Sequence, residues 1–256
     1  AAARSIGALL SEWRARPEQG FEVDLAAVGE LARSSAASVI YLCSPNTPTG
    51  SAPSARDLEA FAEAHADTHI VLDQSFLSSS ERHADASRRL PANVACVRSL
   101  TKDHGIPGVR VGYLLAQPEL CRSIEASRPA WTTSAFAQAA VIASVSAGDF
   151  VRESRERLLC DRRALARDLE ALGIATYASC TTFLLARLPG VAELRARLIA
   201  RHRVVVRDCA SFGLPDFMRV AAKPPAARQR LIDALCQELG PAEIRRAEIR
   251  PVERGP

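Results

Sequence analysis

Lysine is nearly absent from this 256-residue chain. Only Lys102 and Lys223 occur, so arginine carries almost all of the 33 positive charges. Arginine keeps its proton in a protein and cannot condense with a carbonyl, whereas a lysine amine can, which makes each lysine a candidate nucleophile. Aromatic residues are scarce at 5%, and no basic block interrupts the chain. A nucleic-acid partner is therefore not expected, despite a formal charge of +4. No apolar run approaches the roughly 20 residues of a membrane span, and no charged-then-apolar leader opens the sequence, so no membrane partner is expected. The seven cysteines are odd in number, scattered, and never spaced Cys-x-x-Cys. They read as free thiols in a reducing compartment, which implies a cytoplasmic protein with no metal site. Methionine is missing from the first position, where the chain reads Ala1-Ala2-Ala3-Arg4, and an N-terminally incomplete sequence is the expectation.

What is present is ordinary globular composition, 48% hydrophobic and 24% charged. Short β-branched or apolar runs alternate with segments of helical periodicity, the pattern of an α/β fold with a mostly parallel sheet and crossover helices. The run 38–43 reads as a buried strand ending in Ser44-Pro45-Asn46-Thr47-Pro48-Thr49-Gly50, and a helix follows over 55–65. A strand over 69–72 delivers Asp73, and another over 94–97 delivers Ser99 and Lys102. Ligands of open α/β sheets sit at such carboxyl ends. After a strand at 113–116 comes a long helical stretch over 118–147, then a helix over 149–171. Strands near 182–186, 204–206 and 218–221, with helices near 191–201 and 226–239, predict a smaller C-terminal α/β domain. We place the large domain at 1–148, the small one at 149–240 and a loose, charged tail at 241–256.

The densest chemistry lies in Ser99-Leu100-Thr101-Lys102-Asp103-His104-Gly105-Ile106-Pro107-Gly108-Val109-Arg110-Val111-Gly112-Tyr113. A hydroxyl three residues before the lysine and an arginine eight residues after it can converge on a phosphate, with backbone amides of the glycine-rich loop as further donors. The amine among these cations is a nucleophile toward an aldehyde.

This run is similar to the Ser-x-x-Lys-x-x-Gly-x-x-Gly-x-Arg-x-Gly-Tyr signature of fold type I pyridoxal phosphate-dependent aminotransferases, and it fills every fixed position. Within that superfamily the chain resembles the group of histidinol-phosphate aminotransferase and threonine-phosphate decarboxylase. The loop 44–50 is like that group's Asn-Pro-Asn-Asn-Pro-Thr-Gly, and 206–214 followed by Arg219 is like its carboxylate-binding stretch. The resemblance implies a pyridoxal 5′-phosphate-dependent transferase fold with Lys102 as the Schiff-base lysine. It gives Ser99 and Arg110 to the cofactor phosphate, Asp73 to the pyridine nitrogen, and Arg219 with Arg207 to the substrate carboxylate. Amino acid and keto acid substrates and a homodimer are implied as well.

The departures are specific. The family's Asn before Pro-Thr-Gly and the Tyr three residues after the Asp both donate to the cofactor's phenolic oxygen. Here those positions are Thr47, which keeps a hydroxyl, and Phe76, which has none. The residue after Asp73, often Glu, is Gln74. No counterpart of the family's early glycine loop precedes Gly20. Aminotransfer is the expected reaction. Decarboxylation is the alternative, toward which Pro129-Ala130-Trp131 and the 207–212 segment lean. A non-catalytic homologue keeping the fold is the third reading.

Overall fold

A computed structural model describes residues 2–88 and 91–240. The tail predicted at 241–256 lies outside the described residues. Helix α1 (Leu25–Ser34) starts where the Asp24 side chain accepts from the Ala27 amide at 2.9 Å. Strand β1 (Val39–Cys43) then leads through the Pro-rich loop to α2 (Ala55–Ala64). That helix is capped by Ser54, which accepts from Asp57 N while its hydroxyl donates back to Asp57 Oδ2. Strands β2 (His69–Asp73) and β3 (Val94–Arg98) follow, then the single turn α3 (Leu100–Asp103) and strand β4 (Tyr113–Leu115).

These four strands form one sheet in the order β1-β2-β3-β4, the first three parallel and β4 antiparallel to β3. The period-2 alternation puts Ile40, Ile70, Leu72 and Cys96 on the face covered by α1 and α2, in one core cluster with Phe61 and Val28. Burying Ile70 and Leu72, 1% and 2% exposed, contributes roughly 1.5–3 kcal/mol each. The opposite face carries Val39, Tyr41, Val97 and Asp73, and there Tyr41 is 61% exposed.

The predicted helical stretch 118–147 is two helices, α4 (Pro118–Ser127) and α5 (Ala135–Val145). Pro129 breaks it: the residue before a proline is excluded from the α region, and Arg128 is extended at φ −79°, ψ 134°. Ser134 restarts the helix by accepting from Ala137 N. The 24-residue α6 (Gly148–Ala171) buries Leu159, Leu165 and Leu169.

A second sheet holds β5 (Phe183–Arg187), β6 (Arg207–Asp208) and β7 (Phe217–Ala221) in the order β5-β7-β6. Its strands are all antiparallel. It is packed by α6, α7 (Val191–Arg197) and α8 (Pro225–Glu238) around Leu169, Leu184, Leu194, Met218 and Leu235. The predicted strand 204–206 does not form. The chain leaves α7 through a π turn and a left-handed Arg203, so the Val204 amide is spent on Leu198 O, and pairing begins only at Arg207. On the far face of this sheet Phe21 packs edge-on against Tyr177 and Phe217.

The units are joined by named contacts. Arg162 of α6 donates to Ser179 O and to Glu81 Oε1, the latter at 2.6 Å, and Arg155 donates to Ser78 O. Gly50 passes under Ser179 and accepts from the Cys180 amide. A Cβ on Gly50 would fall 2.0 Å from Ser179 Oγ, and its φ of +77° also calls for glycine.

Candidate active site

The parallel register sets Cys43 beside Asp73 and Asp73 beside Val97, so the carboxyl ends of β1, β2 and β3 lie side by side. Asp73 and the segments that carry Thr47, Ser99 and Lys102 therefore leave the same end of the sheet. Asp73 ends β2 with both oxygens engaged: Oδ1 accepts from Ser75 N at 2.9 Å and Oδ2 from the Tyr41 hydroxyl at 2.6 Å. Burial, and then the hydrogen bond to Asp73, push the Tyr41 phenol well above its ordinary pKa. Burial and the same carboxylate push the Cys43 thiol up to about 11, so that cysteine stays protonated at neutral pH.

Lys102 sits in α3, directly after β3, and its Nζ lies 5.3 Å from the Phe76 ring centroid. Phe76 meets Phe183 edge-on at 4.9 Å, and the Arg219 guanidinium covers the Phe183 ring at 4.9 Å. Arg219 Nη1 then donates to Thr47 Oγ1 at 2.6 Å. Two aromatic rings thus separate two cations, and the line runs from the first sheet through the second to the loop after β1. Phe76, which has no hydroxyl to give, is in this structure one of the contacts between the units. Thr47 accepts from Arg219, which leaves its own proton free to donate.

Burial, reinforced by the nearby Arg207, lowers the pKa of Arg219 against the pull of Cys209. Arg207 lies opposite Arg219 in the β6–β7 pairing, but it donates to Ser211 Oγ at 3.0 Å and stacks over Phe212. It flanks the line of contacts without joining it. Ser99 shares a hydrogen bond with Thr101 Oγ1 at 2.7 Å. Arg110, left-handed at φ 55°, turns its guanidinium onto the Pro107 carbonyl of its own loop and has no hydrogen bond to Ser99 or Lys102. The glycines of that loop have distinct reasons: Gly105 is left-handed, whereas a Cβ on Gly112 would meet the Arg98 carbonyl at 2.6 Å. Gln74 is buried and accepts from Arg98 Nε at 3.0 Å, a structural contact under the strand ends.

Sequence reasoning missed Tyr41 and Phe183. Tyr41 had a signal, since it precedes Cys43 by two residues and so shares the face of Asp73. Phe183 had none, because an aromatic opening a strand reads as core. Trp131, 98% exposed, makes no contact with these residues. Among the described residues no group of three or more His, Cys, Asp or Glu side chains could hold a metal, and no helix is long and apolar enough to cross a membrane.

The chain is similar in sequence and fold to known proteins. Histidinol-phosphate aminotransferase from Anaeromyxobacter sp. (strain Fw109-5) is 32% identical over 226 residues, which cover 86% of this chain and 62% of that protein. The crystal structure of histidinol-phosphate aminotransferase from Sinorhizobium meliloti, in complex with pyridoxal-5′-phosphate, superposes with a TM-score of 0.81 at 25% identity. It covers 95% of this chain and 66% of that one. L-threonine-O-3-phosphate decarboxylase from Porphyromonas gingivalis superposes with a TM-score of 0.65 at 28% identity, covering 78% and 63%. The chain thus spans a little under two thirds of the length of these relatives. The model of the aminotransferase class I and II family matches residues 1–236, with Lys102, Asp73 and Arg219 all inside the match, and the chain belongs to that family.

Proposed function

We propose that this chain is the core of a pyridoxal phosphate-dependent aminotransferase acting on an amino acid or amino-phosphate, with a keto acid as the second substrate. The observation that carries the reading is that Asp73 and Lys102 follow from the carboxyl ends of adjacent strands while Phe76 and Phe183 link Lys102 to Arg219, in a chain of the aminotransferase class I and II family. The residues fit the cofactor. Asp73, a carboxylate held at a strand end, suits the ring nitrogen; Lys102, facing a ring and no carboxylate among the described residues, suits the aldehyde carbon. Ser99, Arg110 and the glycine-loop amides suit the phosphate, and Thr47 and Phe76 line the phenolic side. When bound, pyridoxal phosphate supplies a ring that draws electrons from the substrate Cα.

The chain's own residues do the rest. Arg219 spends one N–H on Thr47 and has others for the substrate carboxylate, in a half-buried setting that strengthens the pairing. Arg207 adds positive potential beside it. Lys102 Nζ would be the base that takes up the substrate's Cα proton. The domain division near residue 148, a homodimeric assembly and a cytoplasmic location belong to the same proposal. The exposed apolar side chains of α5 support the dimer.

The threonine-phosphate decarboxylase likeness makes decarboxylation the second reading. Supplying the chain with pyridoxal phosphate, amino acids and keto acids separates the two. Amino-group transfer to the keto acid is expected, and carbon dioxide release without transfer would replace this reading by the second.

A further inference from the structure

We propose that Tyr41 is a positioning residue for Asp73, an inference that rests on the reading of Asp73 as the partner of the cofactor's ring nitrogen. Tyr41 stands on β1 opposite Val71, two residues before Asp73 and on the same face of the sheet. From there its hydroxyl donates to Asp73 Oδ2 at 2.6 Å, while Ser75 N reaches Oδ1 at 2.9 Å from the following turn. Two donors arriving from two elements fix both the plane and the tilt of a carboxylate that either alone would leave free to rotate. Each oxygen keeps a lone pair open beyond the strand end.

The bond from Tyr41 is charge-assisted, the stronger class of hydrogen bond, and its length lies in the short range typical of such pairs. Of the three tyrosines in the chain, Tyr41 is the one bonded to a candidate site residue. Phe76, the aromatic three residues beyond Asp73, has no hydroxyl and faces Lys102 and Phe183. The phenol of this pocket therefore enters from β1 and acts on the carboxylate.

The test measures pyridoxal phosphate affinity by equilibrium dialysis for the full chain and for Tyr41→Phe, Asp73→Ala and the double variant. Tyr41→Phe keeps the ring and loses the hydroxyl, so it is expected to bind about tenfold more weakly, the effect of one hydrogen bond to a charged group. It is also expected to displace the pH midpoint of the bound cofactor's visible absorption, which a general loosening of the fold would leave in place. In the Asp73→Ala background the Tyr41 substitution is expected to have no further effect. Binding by Tyr41→Phe as tight as that of the parent chain overturns the inference alone, and so does an equal loss in the Asp73→Ala background. A parent chain that binds no pyridoxal phosphate overturns the reading of Asp73 and this inference with it.

Discussion

Asp103, the neighbour of Lys102, has a buried oxygen, Oδ1, without a hydrogen-bond partner among the described residues. Burial raises its pKa above the ordinary carboxylate value, against the opposing effects of a Ser78 hydrogen bond and the charges of His104 and Arg98. With the folded value above the unfolded one, the native chain binds more protons in between, so this residue's contribution to stability is lost as pH rises above about 4. Asp103→Asn removes the buried charge and is expected to raise stability at neutral pH by about 1 kcal/mol. Urea unfolding across that pH range should show a flatter slope in the variant, and an identical slope would remove Asp103 from the account. At this scale the sequence offered a pattern where candidates share one short stretch, as Ser99 and Lys102 do at the end of β3. It was not readable where a partner arrives from a distant strand. Tyr41 meets Asp73 across 32 positions and Thr47 meets Arg219 across 172, and no local pattern encodes either.

Elements were legible by their periodicity and their stops. Strands β1, β2 and β3 fell where apolar runs ended in polar loops; α2 makes the crossover from β1 to β2, and a long connection with one short 3-10 turn makes that from β2 to β3. Two readings failed for physical reasons: Pro129 divides what composition alone joins, and Val204 is claimed by a helix end before it can pair. The loop 44–50 shows how an element carries the site. It delivers Thr47 to Arg219 only because Gly50 lets the chain slide beneath Ser179. Gly50→Ala adds a side chain where φ is +77° and no space exists, and it is expected to cost about 2–3 kcal/mol of stability. Thermal unfolding checks this, and a variant as stable as the parent would show that the loop does not lock the two units together.

Across the whole molecule, the apolar surface is unevenly distributed. Phe136 and Ile142 on α5 are 85% and 73% exposed, and Tyr41 on the first sheet is 61% exposed. Such a surface supports the dimer proposed above. Sedimentation is expected to give a dimer that the pair Phe136→Glu and Ile142→Glu weakens, and a monomer in the parent chain would contradict the assembly proposed above. The exposed apolar patch was not legible beforehand, because exposure is a property of the packed fold and apolar helices read alike whether covered or bare. The central claim is narrower, that Lys102 is the amine to which pyridoxal phosphate binds, and the scarcity of lysine makes it directly testable. Borohydride reduction of the chain after incubation with pyridoxal phosphate, followed by peptide mass mapping, is predicted to place one pyridoxyl group on Lys102 and none on Lys223. Label on Lys223 alone, or on neither, would contradict the account.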